Sequence, residues 1–362
     1  MRSPRNRRLP VRPRVLFVTY CRFAPTGMIG VFKRCLRLAA RLTRVFDIHW
    51  VNFGPLPESD ALFSRIRGRI TVHRGLRGKA QRSLAELMRR VDPAVVVLGE
   101  TPRSGALLAA YRAAAGLGIR QVGIDNYYGR SMLEDRQLAW SHVDSWVLLG
   151  VHESGRPAYS LGKVHVLPPL VTVPEGVGSP PRDRICVLGY DRTTLERSLQ
   201  LLRRLPTVLP TVPRVDFFLS PELAGQLRRA GIEHGRSGVA LHVLPDERVL
   251  FAAMACARLI FGKSGFQQIM EGLCLGAPVV CQSATGGVQP CFLPPHLRSY
   301  YRQVNSEGDL DRLLPDLAAW VLASPVFPWT APLRRLGDMA GYAAKRFEKI
   351  LYRPRFGERV SP

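Results

Sequence analysis

Short runs of β-branched and aromatic residues alternate with helical periodicity twice along this chain, and a stretch that suits neither separates the two series. In the first series strands are expected at 14–19, 47–52, 69–72, 94–98, 121–124, 145–149 and 164–167, with helices near 29–44, 80–91, 104–116 and 131–139. Strands that alternate with helices build a parallel sheet covered on both faces, because a parallel connection needs a crossover and the helix supplies it. Residues 173–183 then read Val-Pro-Glu-Gly-Val-Gly-Ser-Pro-Pro-Arg-Asp, rich in Pro and Gly and without periodicity, which marks a linker. The pattern restarts with strands at 184–188, 214–219, 239–243, 259–261 and 279–281. The accompanying helices are expected at 193–204, 221–230, 246–257, 306–322 and 332–351.

A chain of 362 residues is long enough for two such units. The fold class is therefore α/β, with two Rossmann-like domains facing a cleft. The expected parts are a basic disordered arm at 1–13, an N-terminal domain at 14–172 and the linker at 173–183. A C-terminal domain follows at 184–330, and a last helix at 331–351 packs back toward the first domain. In two facing sheets of this kind, ligands sit at the carboxyl ends of the strands.

The formal charge of +24 rests on arginine, since only six of the 52 basic residues are lysine. Six arginines and no acid fall within residues 1–14. Lys33, Arg37, Arg41 and Arg44 recur on one face of the first helix, opposite Phe32, Cys35, Leu36, Ala39 and Leu42. Such a face suits either solvent or an anionic membrane surface. No helix-turn-helix, zinc-finger or aromatic RNA-binding pattern points to nucleic acid. No apolar run approaches the ~20 residues that span a bilayer. Seven cysteines without a C-x-x-C pair fit a reducing compartment. A cytoplasmic protein is expected, with the inner face of the membrane as a place where its arginines could hold it.

Residues 264–278 read Ser-Gly-Phe-Gln-Gln-Ile-Met-Glu-Gly-Leu-Cys-Leu-Gly-Ala-Pro, between two strands. Ser264 and Gln267 have the spacing of a capping box, Gly276 suits the left-handed residue that ends a helix, and Pro278 forbids continuation. The N-terminus of this helix follows a strand and a Ser-Gly turn, which makes it an anion site. Glu271 shares a face with Gln267 and Gln268. An anion cradle with a carboxylate nearby is what a nucleoside diphosphate and its ribose require.

Other glycine turns are weaker signals. Gly27 and Gly30 flank the entrance to the first helix, but their spacing is not G-x-G-x-x-G and the second strand ends without an acid, which argues against NAD. Gly262-Lys263-Ser264 lacks the upstream glycine of a Walker A loop, because Ala257 stands there. Gly189, Arg192 and Thr193 could offer a phosphate donors, or form a plain turn. Thr285 and Gln289 flank a Gly-Gly loop that could meet sugar hydroxyls.

From Val243 to Cys281 the chain resembles the donor half of GT-B glycosyltransferases. Within that group it is most similar to the transferases that add N-acetylglucosamine from UDP to lipid-linked peptidoglycan precursors. The shared arrangement is a helix (252–257), a strand (259–261), Ser264-Gly265, Glu271 and Gly276-Ala277-Pro278. The resemblance implies that Ser264 and Gly265 receive the diphosphate, that Glu271 binds the ribose, that the loop from Leu244 reads the base, and that Gln289 lies near the sugar. It implies a glycosyltransferase with a nucleotide-sugar co-substrate, UDP-linked in this group, and an acceptor that is lipid-linked, a polysaccharide or a secondary metabolite. No cofactor and no metal is expected: an inverting transfer needs a base, and helix N-termini with Lys263 and Arg192 can stabilise the leaving diphosphate. The histidine that many relatives carry in the first turn is replaced by Gly30. Candidate bases are therefore Asp125, Glu100 and His152. Tyr127 follows Asp125 in the same loop, on the acceptor side with Gly27 and Gly30. A hydrolase or epimerase on the same fold, or a non-catalytic binding protein, are the alternatives.

Overall fold

The computed structural model describes residues 12–20, 29–54, 61–74, 80–99, 105–126, 143–152, 158–171, 182–189, 214–219, 221–229, 238–243, 247–263, 266–282, 300–323 and 338–353, with a few single positions between them. The basic arm before Arg12, most of the 173–183 linker, and the helices expected at 131–139 and over most of 193–204 lie outside the described residues.

Two sheets form. The first holds β1 (Arg14–Tyr20), β2 (Asp47–Phe53), β3 (Ile70–His73), β4 (Val95–Leu98), β5 (Arg120–Asn126), β6 (Ser145–Leu149), β7 (Tyr159–Leu161) and β8 (Val164–Leu167). Their spatial order is β3-β2-β1-β4-β5-β6-β8-β7. All pairs are parallel except β7 with β8. The second holds β9 (Arg184–Gly189), β10 (Arg214–Leu219), β11 (Val239–Val243), β12 (Ala257–Lys263), β13 (Val279–Gln282) and β14 (Tyr301–Val304), in the order β11-β10-β9-β12-β13-β14 and parallel throughout. Both sheets thus run outward from their first strand and then reverse on its other side. That is the doubly wound order, with its crevice at the carboxyl ends of the first and fourth strands. In the first sheet these are β1 and β4, and in the second β9 and β12.

The helices are α1 (Ile29–Leu42), α2 (Ala61–Ile66), α3 (Ala80–Val91), α4 (Gly105–Gly116), α5 (Pro221–Arg229), α6 (Glu247–Ala255), α7 (Phe266–Cys274), α8 (Glu307–Ala323) and α9 (Met339–Leu351). They cover both faces of both sheets. One face of the first sheet packs on α1, α2 and α9 around Phe17, Phe32, Trp50, Phe63 and Phe347; the other packs on α3 and α4. One face of the second sheet packs on α6 and α7, the other on α5 and α8. Strands buried on both sides read as apolar runs, and the inner residues of β1, Val15 to Val18, are fully buried.

Besides a single 3₁₀ turn at Arg67–Arg69, three described elements go beyond the sequence expectation, and all three are short. α2 is a six-residue helix, β7 reads Tyr-Ser-Leu and returns on β8 through a turn at Gly162, whose φ is +57°, and β14 reads Tyr-Arg-Gln-Val. Too few residues repeat in any of them for a period to emerge.

α9 belongs to the core of the first sheet although it follows the second in sequence. Ala340, Ala343, Ala344, Phe347, Ile350 and Leu351 join the cluster around α1. Buried Arg120 of β5 donates to the carbonyls of Leu351 and Ile350 at 2.7 and 2.6 Å, satisfying two of the acceptors that every helix leaves open at its C-terminus. At the other end of α9 the Ala340 N–H donates to the Val171 carbonyl.

Candidate functional site: a charged seam between the two sheets

The segment singled out in the sequence forms α7, which follows β12 and lies against β12 and β13. Its C-terminus is a Schellman motif. Ala277 N–H donates to the Gly272 carbonyl and Gly276 N–H to that of Leu273, with Gly276 at φ +80°. Gly272 lets the helix sit close to the sheet. A Cβ there would lie 2.7 Å from Val279 Cγ2 and 2.9 Å from Ile260 Cδ1. This close approach sets the depth at which Glu271, the preceding residue, stands.

Glu271 is buried, and its partner comes from the other sheet's domain. Arg37 of α1 donates from Nη1 to Glu271 Oε1 at 2.5 Å. The same guanidinium donates from Nε to both oxygens of Glu247, at 3.1 and 3.2 Å. Its Cζ lies 5.1 Å from the ring centroid of Phe251. Lys33 Nζ, one turn earlier on α1, donates to Glu247 Oε1 at 3.3 Å. Glu247 occupies the first turn of α6, where the helix dipole favours a carboxylate. Two cations of α1 thus face two carboxylates of α6 and α7. Burial alone would lower the Arg37 pKa, but the charges of Glu271 and Glu247 and their hydrogen bonds outweigh it and hold the guanidinium above its ordinary range. Burial pushes the Glu247 carboxyl up, and the charges of Arg37 and Lys33 more than offset that, so its pKa lies below the usual carboxylate value.

These contacts revise the reading of α1. Its basic face has acidic partners within the molecule at Lys33, Arg37 and Arg41. The first two pair with Glu247 and Glu271, and Arg41 pairs with Asp338, just before α9, at 3.4 Å. Arg44 is exposed.

A second pair lies over the carboxyl ends of the first sheet. Arg34, buried on α1, donates from Nη2 to the Gly99 carbonyl at 2.8 Å, immediately after β4. The same nitrogen stands 3.7 Å from Asp125 Oδ1 near the end of β5. Asp125 Oδ1 also accepts the Asn126 N–H at 2.8 Å. Arg34 Nε has no hydrogen-bond partner among the described residues. Asp125 is thus a buried carboxylate held beside a guanidinium. His152 is buried as well; its ring stacks on Tyr159 at 3.9 Å and its Nδ1 lies 2.8 Å from Ser154 Oγ.

The other expected site residues are less completely described. Gln267 and Gln268 lie on α7, Gly30 on α1, and Gly189 and Lys263 end their strands β9 and β12. Glu100, Ser264, Gly265, Arg192, Thr193, Leu244, Thr285, Gln289, Gly27 and Tyr127 lie outside the described residues. Arg37 and Glu247 complete the seam and Arg34 stands beside it on the first sheet; none of the three is among the expected site residues. The helical spacing of the α1 cations was the one available signal, and it carries no information about what lies opposite.

No protein-family model matches the sequence, and no curated protein matches it. Solved structures do. MurG from Acinetobacter baumannii superposes with a TM-score of 0.58 at 14% identity, over 94% of this chain and 99% of that one. The glycosyltransferase VinC, in complex with DTDP, gives 0.58 at 14% identity, over 93% and 98%. A putative UDP-N-acetylglucosamine 2-epimerase from Listeria monocytogenes gives 0.55 at 12% identity, over 93% and 95%. The fold is GT-B. At these identities the likeness concerns the backbone: two doubly wound sheets with their carboxyl ends toward a common cleft. In this GT-B chain the α1–α6–α7 ion cluster links the two domains. No helix among the described residues is long and apolar enough to cross a membrane.

Proposed function

We propose that this GT-B chain is a glycosyltransferase that moves a sugar from a nucleotide-sugar donor, UDP-linked, to an acceptor hydroxyl or similar nucleophile. The observation that carries the reading is Glu271. It stands on the helix that follows the fourth strand of the second sheet, at the seam with the first sheet, where the resemblance assigns a ribose-binding carboxylate. In this reading the Ser264-Gly265 turn and the N-terminus of α7 take the diphosphate, whose charge the helix N–H groups stabilise as it leaves. Lys263 and Arg192 add positive charge. The loop from Leu244 takes the base, and Thr285 and Gln289 meet the sugar. Transfer proceeds with inversion and without a metal.

Asp125 is the proposed base. Arg34 and the Asn126 N–H hold its carboxylate at the end of β5, and it takes the acceptor proton as the glycosidic bond forms. His152 is the less suitable of the two described candidates, because its ring is packed on Tyr159 and tied to Ser154. An acceptor that is lipid-linked or otherwise anionic fits the arginine-rich arm and Arg44 rather than Lys33, Arg37 and Arg41, which have acidic partners within the molecule.

The test is a panel of nucleoside diphosphates and nucleotide sugars read by thermal shift and calorimetry. UDP is expected to raise the melting temperature, since a ligand that binds only the folded state stabilises it. Glu271→Ala is expected to lose ~1–3 kcal/mol of binding, the range for hydrogen bonds to a charged group. Unchanged affinity in the folded variant refutes the ribose role. A second reading, hydrolase or epimerase, is favoured by the likeness to the putative epimerase. Incubating UDP-N-acetylglucosamine without acceptor separates the two: rapid stoichiometric release of free sugar, or of its epimer, refutes the transferase.

A further inference from the structure

The ribose-binding carboxylate of the proposed site is already occupied by a residue of the same chain. Glu271 Oε1 accepts the Arg37 guanidinium at 2.5 Å, and Glu271 and Arg37 are 5% exposed each. A carboxylate binds a ribose diol by accepting its hydroxyl protons, and a guanidinium presents the same feature, N–H donors in a fork. A carboxylate has acceptor positions to spare, so access decides the competition: with Arg37 lying on it Glu271 is buried, and a ribose reaches it only where the guanidinium gives way. Arg37 is also anchored on its second-domain side by Glu247 and Phe251, and Lys33 adds a further contact across the seam. Arg34, three residues earlier on the same helix, is tied instead to the first sheet at Gly99 and Asp125. α1 is therefore fixed to its own sheet by one arginine and to the other domain's donor helix by the next.

We propose that Arg37 is a latch on the nucleotide site. In the empty molecule it takes the place of the ribose on Glu271 and helps hold the two domains together, and an incoming nucleotide displaces it from Glu271 while Glu247 keeps its contacts with α1. The proposal rests on the nucleotide-sugar reading of the site. Its consequence is a competition. Every nucleotide bound requires one Arg37–Glu271 pair broken, so the observed affinity is reduced by the fraction of molecules whose latch is closed. By reciprocity, nucleotide binding weakens the closed arrangement by the same factor. Removing the arginine leaves Glu271 as a buried charge without its cation, which is unfavourable until a ribose supplies donors.

The experiment compares wild type, Arg37→Gln and Glu247→Gln, each shown folded by circular dichroism. UDP and TDP affinities are measured by calorimetry, and the radius of gyration without ligand by small-angle scattering. Arg37→Gln is expected to bind UDP about tenfold more tightly, within the range of ordinary site-to-site coupling, and to be more extended when empty. Glu247→Gln removes one anchor of the latch without touching Glu271, so it changes both readouts in the same direction by less. It also serves if Arg37→Gln fails to fold. Equal or weaker nucleotide binding in the variants, while wild type binds, overturns the latch and leaves the nucleotide reading standing. If neither UDP nor TDP binds wild type or any variant, the nucleotide reading falls and takes the latch with it, whatever the scattering gives.

Discussion

Replacing Gly272 by alanine adds a single methyl group at the closest approach of α7 to the second sheet. In an open helix that change stabilises, because glycine has more freedom to lose on folding: alanine is better by about 0.5–1 kcal/mol. At Gly272 the new Cβ would stand 2.7 Å from Val279 Cγ2 and 2.9 Å from Ile260 Cδ1. Ile260 can move a terminal methyl, but Val279 is β-branched and stiff at its first side-chain torsion, so the helix must shift instead. Overpacking of this kind costs about 1–3 kcal/mol. The net expectation is between no change and a loss of about 2 kcal/mol, with α7 and Glu271 displaced. Gly225, in α5, is the internal control, since nothing lies within 4 Å of the position its Cβ would take. Gly225→Ala should therefore show only the propensity gain. Both variants are unfolded in urea and followed by circular dichroism, and their UDP affinities are measured. If Gly272→Ala is stabilised as much as Gly225→Ala, the close packing of α7 on the sheet is refuted.

Two further outcomes follow from buried charges away from the seam. Burial, then Arg353 and Arg120, hold the His165 imidazole down at about 4, against an ordinary 6.5. The unfolded chain therefore takes up a proton below pH 6.5 that the folded one refuses, and stability falls as pH drops from 6.5 toward 4, by roughly 2 kcal/mol at pH 5. Urea midpoints at pH 7 and pH 5 should converge for His165→Gln relative to wild type, and identical pH dependence in the two proteins counts against this. Asp216, fully buried on β10, accepts from Arg184 at 3.2 Å and lies 2.9 Å from His242 Nε2. It ties β9, β10 and β11 together at one end. Asp216→Ala leaves Arg184 with Asp183 alone and removes the buried acceptor shared with Arg214 and His242, and should cost about 1–3 kcal/mol by denaturant unfolding; a loss under ~0.5 kcal/mol would show that the cluster is solvated.

What was readable in the sequence was local. The Schellman ending at Gly276 needs one glycine and a few neighbouring backbone groups, so it is written in consecutive residues. The same holds at the start of α8, where Ser306 Oγ accepts the Asp309 N–H and Asp309 returns the bond to the Ser306 N–H. The strand–helix alternation is likewise a matter of period and composition, whereas the order of the strands in both sheets comes from the structure. The short elements α2, β7 and β14 escaped because their stability comes from neighbours and not from their own pattern.

The sequence by itself therefore determined the two α/β units, the Gly276 ending of α7 and the position of Glu271 on that helix. The tertiary structure decided what Glu271 touches. Arg37 lies 234 residues away, on a helix whose cationic face reads the same whether water, lipid or another domain's carboxylates lie opposite. Only the packing of α1 against α6 and α7 turns that face into a buried ion cluster. The reason is physical: periodicity records which side of a helix is polar, whereas the partner of a charge depends on how two separately folded sheets are set against each other.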